Sequence, residues 1–319
     1  MRSRSDRLVA VATLGAFVVV AGVLGLVSLY LGAVTQAMSG LQRTASLPDY
    51  TGRPLPQQSD GPAAVRFLVL VSDDDGRLAS AYLAQLSSAR NALHLVGLPA
   101  NLLVTDPQGE QSTLASRFGA GAMNAVRAVE SLIGLRIDHM VQVDLDGFTA
   151  IVDVLGGVSV DNRVETASQG WHFPSGELRL TGPSAEAYLT SSKHPMTRLE
   201  RTEAVFVEIV RGLIGGDALT NPAKVESVGD VLNSCVTVDA GLTAAEIRRL
   251  ALDMQLTGDS VTASPLPLAG VSTWSGAEVI VPDQNRLPGL ADALRSEQAS
   301  IWAAKQSDPW GPLAQLPPR

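Results

Sequence analysis

The sequence contains a single cysteine, Cys235, and so cannot form a disulfide within the chain. Its four histidines are scattered and give no zinc-site spacing. Aromatic residues make up only 4% of the chain, so alanine, valine and leucine must supply most of the core. Positive charge is also scarce, because 24 Lys and Arg stand against 32 Asp and Glu, a net charge of -8. So acidic a chain lacks the basic surface that nucleic-acid binding requires, which argues against such a partner.

Charged residues are absent from residues 8–34, a run of 27 residues rich in Val, Leu, Ala and Gly. About 20 apolar residues span a bilayer, whereas the apolar cores of signal peptides are shorter. The run therefore predicts an uncleaved transmembrane signal anchor; a cleaved signal peptide and a buried core helix are the alternatives. Residues 1–7 carry Arg2, Arg4 and Arg7, which places them in the cytoplasm by the positive-inside rule. The remaining chain is then expected outside the cytoplasmic membrane.

Prolines and glycines divide the exported part into three. Residues 35–63 predict a linker, and residues 298–319 predict a loose proline-rich tail. Between them, residues 64–297 predict one mixed domain, in which strand patterns such as residues 66–71 alternate with helical patterns. Residues 81–86 fit either a helix or a strand. A helix over residues 124–133 is predicted to end at Gly134, and the capping box of Thr243 and Glu246 predicts the start of another helix. The alternation favours an α/β fold whose sheet is covered on both faces.

A cationic cluster stands where a long helix is predicted to begin. Lys193 precedes the helix, and Arg198 and Arg201 share one face of its first turn. Cations are unfavourable at a helix N-terminus unless an anion lies opposite them. Free N–H groups together with arginine side chains would suit a phosphate or pyrophosphate. The alternative is a solvated surface on which neighbouring glutamates, Glu200 and Glu203, compensate the charge.

An acidic cluster follows the strand predicted over residues 66–71. Asp73, Asp74 and Asp75 come directly after it, at the carboxyl end of a buried strand. Carboxylates on such a loop suit Mg²⁺ that is partly held by substrate phosphate. The alternative is an ordinary polar turn.

A long ordered phrase occupies the middle of the domain, where residues 132–160 read LIGLRIDHMVQVDLDGFTAIVDVLGGVSV. Four shorter segments accompany it in order: FLVLVSD at 67–73, LVGLP at 95–99, AEAYL at 185–189 and RLER at 198–201. Together these segments closely resemble the LytR-CpsA-Psr family. The resemblance covers roughly residues 64–295.

That resemblance implies a three-layer αβα fold with a central mixed sheet. It also implies an extracytoplasmic phosphotransferase that moves a glycopolymer, such as teichoic acid or arabinogalactan, from a polyprenyl-pyrophosphate carrier to peptidoglycan. In the family, arginines hold the pyrophosphate, aspartates hold Mg²⁺, and an apolar cleft takes the lipid tail. A membrane anchor suits a protein whose donor lies in the membrane.

The sequence departs from the family pattern at several site positions, which are Ser80, Ala100, Asn101, Thr190 and Ser192. The matching positions are Asp73, Lys193, Arg198 and Arg201, and Arg77 and Arg117 are candidate substitutes for the lost ones. Two functions remain open: an enzyme with a rebuilt site, or a catalytically silent protein that binds polyprenyl-pyrophosphate glycan or assists an active paralogue. Trp171 and His172 are a candidate glycan contact, with ordinary loop packing as the alternative.

Overall fold

The computed structural model describes residues 40–47, 49–58, 61–192, 194–215 and 222–306. Among these residues, none of the helices combines the length and the apolar character needed to cross a membrane. The predicted anchor over residues 8–34 and most of the predicted tail lie outside the described residues, as does Lys193.

Fifteen strands and nine α-helices make up the described chain. The strands are β1 (Gln42–Thr44), β2 (Val65–Ser72), β3 (Leu78–Leu86), β4 (Leu93–Pro99), β5 (Leu103–Thr105), β6 (Gln111–Thr113), β7 (His139–Asp144), β8 (Val158–Asn162), β9 (Thr166–Ser168), β10 (Trp171–Phe173), β11 (Gly176–Leu180), β12 (Val236–Asp239), β13 (Val261–Pro265), β14 (Leu268–Trp274) and β15 (Ala277–Pro282). The helices are α1 (Leu114–Gly119), α2 (Ala122–Ile133), α3 (Leu145–Val154), α4 (Gly182–Thr190), α5 (Pro195–Gly215), α6 (Pro222–Cys235), α7 (Ala244–Asp253), α8 (Leu287–Arg295) and α9 (Ala299–Ala304).

Seven strands form one mixed sheet in the order β1-β12-β7-β2-β3-β4-β13. The pairs β1/β12, β2/β7 and β4/β13 are parallel, whereas β2/β3, β3/β4 and β7/β12 are antiparallel. Four two-stranded sheets, β5/β6, β8/β11, β9/β10 and β14/β15, lie outside it. The expectation of an α/β fold with a central mixed sheet is confirmed.

Helices cover both faces of this sheet, as strand β3 shows. Successive side chains of a strand point to opposite faces, so Tyr82 and Gln85 lie on different sides. The Tyr82 hydroxyl donates to the Leu199 carbonyl of α5 at 3.2 Å, and Gln85 Nε2 donates to the Leu294 carbonyl of α8 at 2.8 Å. Residues 81–86, open between helix and strand on sequence alone, are strand, because burial on both sides outweighs their helical propensity.

Local sequence signals set several element ends. Gly134 ends α2 in the left-handed conformation, with φ of 63° and its N–H bonded to the Glu130 carbonyl at 2.9 Å. The Thr243 hydroxyl caps the start of α7 by accepting from the Glu246 N–H at 3.1 Å. Both ends lie where the sequence predicts them.

The segment predicted as a linker is partly built into the domain. Residues 42–44 form β1, an edge strand paired with β12. Further along, the Tyr50 hydroxyl donates to Glu130 Oε2 at 2.7 Å, and Arg53 Nε donates to Glu130 Oε1 at 3.1 Å. Part of the segment predicted as a linker over residues 35–63 is therefore held against the domain. The proline and glycine content of the segment predicts little regular structure. It does not indicate that Glu130, a buried carboxylate far along the chain, binds the segment.

Candidate functional site

The acidic cluster forms the tip of the β2–β3 hairpin. Asp73 Oδ1 accepts from the backbone N–H groups of Asp75 at 3.1 Å and Arg77 at 2.8 Å. Arg77 pairs in turn with Asp75, and both side chains are largely exposed. The carboxylates of Asp73 and Asp75 are thus engaged in their own turn, which matches the polar-turn alternative.

The fit of Mg²⁺ to this cluster is poor in the observed arrangement. Among the described residues, no three or more His, Cys, Asp or Glu side chains converge so that they could hold a metal ion. Asp73 accepts hydrogen bonds from backbone N–H groups, and Asp75 pairs with the Arg77 guanidinium. These carboxylates therefore do not surround a common point as the ligands of a metal ion would. We therefore derive no chemical step through a metal, and a Mg²⁺ requirement stays a prediction.

Arg198 and Arg201 of α5 converge on the C-terminal end of α4. Arg201 donates to the Tyr188 carbonyl at 3.2 Å and to the Ser191 hydroxyl, and Arg198 donates to the Ser192 carbonyl at 3.4 Å. Arg198 Nε is also buried without an acceptor among the described residues. Because the end of a helix carries partial negative charge, these cations stabilise α4.

This placement differs from the predicted one. Helix α5 begins at Pro195, and the Arg198 N–H already bonds to the His194 carbonyl at 3.0 Å. Arg201 is therefore in the second turn, away from the free N–H groups of the helix start. Only 4% of Arg201 is exposed, so the solvated-surface alternative does not describe it either.

Arg201 stacks on a buried tyrosine. Its Cζ lies 4.6 Å from the centroid of the Tyr188 ring, whose edge meets Phe173 of β10 with centroids 5.3 Å apart. Arg201 NH2 also donates to Thr166 Oγ1 on β9 at 3.0 Å. Burial lowers the pKa of Arg201 and raises the pKa of Tyr188. The guanidinium is thus held rigidly among α4, α5 and the β9–β10 hairpin.

A cavity of about 310 Å³ opens beside Arg201, between β8 and α5. Its charged lining residues are Asp161, Arg163, Glu200, Arg201, Glu203, Glu208 and Arg211. Apolar side chains such as Val160, Ala204 and Val207 line the rest. Three cations therefore face four carboxylates, so the protonation state of the carboxylates decides the charge of the cavity.

Glu203 is the unusual carboxylate of this set. Its Oε2 is buried without a hydrogen-bond partner among the described residues. The same oxygen lies against Gly97 of β4, since a Cβ atom added to that glycine would be only 2.8 Å from it. Burial, followed by repulsion from Glu200, raises the pKa of Glu203 to about 7. Glu203 is therefore not the exposed compensating charge that the sequence suggested. The glycine at position 97, which makes room for the carboxylate, is the one signal that could have pointed to it.

The positions predicted to depart from the family pattern fall into two groups. Thr190 and Ser192 lie at the end of α4, beside Arg198 and Arg201. The Ser192 hydroxyl accepts from the His194 N–H, and the Thr190 hydroxyl donates to the Glu186 carbonyl. Ser80 on β3 pairs in register with Pro99, directly before the other positions, Ala100 and Asn101. Asn101 Nδ2 donates to the Glu278 carbonyl of β15 at 3.3 Å, so its side chain takes part in the packing of that hairpin.

The fold and the charged cavity beside Arg201 define an α/β protein with a candidate binding site at one flank of a mixed sheet. The chain belongs to the LytR_cpsA_psr family, whose model matches residues 58–296. That match confirms the resemblance found in the sequence phrases.

Two curated relatives match part of the chain. The cell wall biosynthesis protein LcpA of Corynebacterium glutamicum is 30% identical over 177 residues, which are 53% of this chain and 34% of the relative. The polyisoprenyl-teichoic acid–peptidoglycan teichoic acid transferase TagU of Bacillus cereus is 32% identical over 124 residues, 38% of this chain and 41% of the relative. The matched regions thus span well under half of these relatives.

Solved structures share the fold over a larger part of the chain. TagV of B. subtilis superposes with a TM-score of 0.64 at 19% identity, covering 74% of this chain and 98% of TagV. TagT bound to LIIa-WTA gives a TM-score of 0.64 at 17% identity, covering 80% and 99%. At such identities the likeness establishes the fold alone.

Proposed function

We propose that this protein acts in the cell envelope on a glycopolymer carried by polyprenyl pyrophosphate, and transfers it as a phosphodiester to peptidoglycan. Membership of the family supports the reaction class, and relatives are named for such transfers. One observation in this chain carries the proposal: the buried Arg201 guanidinium, fixed on Tyr188 at the wall of a cavity of about 310 Å³. The uncharged run at residues 8–34 would anchor the domain outside the membrane that holds the donor.

In this proposal the arginines bind the pyrophosphate, and Lys193 adds a third cation close to them in sequence. Arg201 and Arg198 would contact the phosphate oxygens and stabilise the charge that develops on them as the acceptor hydroxyl attacks. The bond that forms joins the acceptor oxygen to the phosphorus bearing the glycan. The bond that breaks joins that phosphorus to the bridging oxygen, polyprenyl phosphate leaves, and the proton of the acceptor hydroxyl passes to the departing phosphate or to solvent.

A second candidate function is binding without transfer. Its support is position 101, where the family pattern has aspartate and this chain has an asparagine bonded to the Glu278 carbonyl. Such a protein would hold the donor at Arg201 and present it to an active paralogue. Transfer activity separates the two candidates.

The test uses the purified 319-residue chain with a polyprenyl-pyrophosphate glycan and peptidoglycan, with and without Mg²⁺. We expect transfer, and we expect Arg201→Ala to lower its rate about 10²–10³-fold, the usual effect of removing one electrostatic donor. Arg201→Lys keeps the charge but loses the planar contacts, and should be intermediate. Arg249→Ala is the control, because Arg249 lies on the surface of α7, paired with Glu246.

Each outcome decides between the candidates. Transfer that responds to Mg²⁺ would support a metal-assisted enzyme, and equal rates without Mg²⁺ would remove the metal from the proposal. Donor binding without transfer, weakened by Arg201→Ala, would favour the second candidate. Unchanged activity in both Arg201 variants would overturn the assignment of this site.

A further inference from the structure

The β9–β10 hairpin extends the Arg201 site outward along one face. Its strands are joined by the two residues Gln169 and Gly170, with φ of 51° and 81°, which the twist of a tight hairpin favours. The register pairs Thr166 with Phe173 and Ser168 with Trp171. Residues that pair across two strands, and residues two apart on one strand, point to the same face. These four side chains therefore share one face of the hairpin.

The inner half of that face is already engaged at the site. Thr166 accepts from Arg201 NH2 at 3.0 Å, and the Phe173 ring packs on Tyr188. A further hydrogen bond, from Gln169 Nε2 to Thr190 Oγ1 at 3.2 Å, holds the turn against the end of α4. The hairpin is thus fixed to the elements that hold Arg201.

The outer half of the same face carries an exposed indole. Trp171 is 44% exposed, whereas its face neighbour Phe173 is 2% exposed. Two residues along a strand cover about 7 Å, so the Trp171 position lies roughly that far along the hairpin from the Thr166 position. A tryptophan offers a large, rigid apolar face with one polar N–H, which suits the apolar face of a pyranose ring.

We propose that Trp171 is the stacking platform for the sugar ring next to the pyrophosphate, and that the β9–β10 hairpin contributes to the choice of glycopolymer. The inference rests on the proposed function, because it takes the pyrophosphate to be bound at Arg201. A pyranose joined to that pyrophosphate would lie along the shared face of the hairpin. His172 pairs in register with Ala167 on the other face, where it bonds to Glu165 at 2.9 Å, and takes no part.

The test measures binding of two soluble probes to the full chain by calorimetry. The probes are geranyl pyrophosphate and the same molecule carrying N-acetylglucosamine on its terminal phosphate. We expect Trp171→Ala to weaken binding of the sugar-bearing probe about three- to tenfold, and to leave binding of geranyl pyrophosphate unchanged. Trp171→Phe should retain most of the affinity. Trp274→Ala is the matched control, since Trp274 lies near the tip of the β14–β15 hairpin.

Three results would overturn the proposal. Equal weakening of both probes would make Trp171 a structural residue of the hairpin. Binding of neither probe by the wild-type chain would remove the pyrophosphate site and the sugar platform together. Binding of both probes with no effect of Trp171→Ala would overturn only the platform.

Discussion

Two glutamates with buried carboxylate oxygens, Glu130 and Glu203, have very different surroundings in this molecule. Glu130 of α2 is fully buried and accepts from the Tyr50 hydroxyl, from Arg53 and from the Ile137 N–H. Glu203 of α5 is buried at one oxygen that finds no partner among the described residues, beside a cavity. Glu130 is thus saturated with donors, whereas Glu203 is not.

The difference in hydrogen-bond partners indicates that one glutamate contributes to stability and the other to function. A buried charge that is paired and hydrogen-bonded holds elements together, and here Glu130 fixes the segment before the domain onto α2. An unpartnered buried carboxylate is costly, and such costs are typical of sites that bind or react. We therefore assign Glu130 to the architecture and Glu203 to the cavity, and the following predictions test that division.

The largest effect is expected at the Glu130 cluster. Arg53→Ala leaves a buried carboxylate without its guanidinium, and should lower the free energy of unfolding by about 3–5 kcal/mol. Arg136→Ala is the control, because Arg136 meets the 86% exposed Asp49 at 3.5 Å and surface pairs contribute about 0–1 kcal/mol. Denaturant unfolding of both variants measures the difference. Equal losses would mean that the segment around Arg53 is not docked as described.

Replacing Glu203 should change the free energy of unfolding by up to about 3 kcal/mol, and the change should depend on pH. The pKa of this carboxyl is raised from 4.5 to about 7 in the folded protein, so the unfolded chain loses the proton first. Its contribution to stability is complete below about pH 4.5 and is lost as the pH rises towards 7. Glu203→Gln cannot ionise, and should be more stable than the wild type at pH 8 but similar to it near pH 5.

Thermal and denaturant unfolding across pH 5–8 checks this expectation. The matched control is Glu208→Gln, since Glu208 lines the same cavity but bonds to Arg211 at 2.7 Å. Only the Glu203 variant should reduce the pH dependence of the free energy of unfolding. An identical pH profile in the Glu203 variant and the wild type would contradict the raised pKa and remove the contrast with Glu130.

The smallest effect is expected at the exposed turn. Asp73→Ala removes two hydrogen bonds to backbone N–H groups that water can replace, and should cost about 1 kcal/mol of stability. Asp74→Ala should cost less, because the Asp74 carboxylate makes no hydrogen bond with any described residue. Loss of transfer by Asp73→Ala at nearly unchanged stability would support the metal role predicted for Asp73 from the sequence.

The sequence predicted the domain well where local pattern and burial agree. The strand at residues 66–71, the end of α2 at Gly134 and the start of α7 at Thr243 all appear as expected. The ordered phrase over residues 132–160 identified the family, which the family model confirms. These features depend on periodicity and on residues that control backbone conformation, both of which can be read directly from the chain.

The candidate site was predicted only in part. Arg198 and Arg201 do lie together, since residues three apart share a helix face. Their partners at the end of α4, and the Thr166 contact, join segments that are distant in sequence. The environment of Glu203 depends on Gly97, more than a hundred residues earlier, so no local pattern could predict its raised pKa.

The sequence by itself determined the family, the mixed α/β architecture and the residues from which a site can be built. Only the tertiary structure decided which charged groups are buried, which are paired and which face a cavity. It joined Tyr50 and Arg53 to Glu130, left an oxygen of Glu203 unpaired, and engaged Asp73 in its own turn. The physical reason is that pairing and desolvation depend on distances in space, which a folded chain sets between residues far apart in sequence.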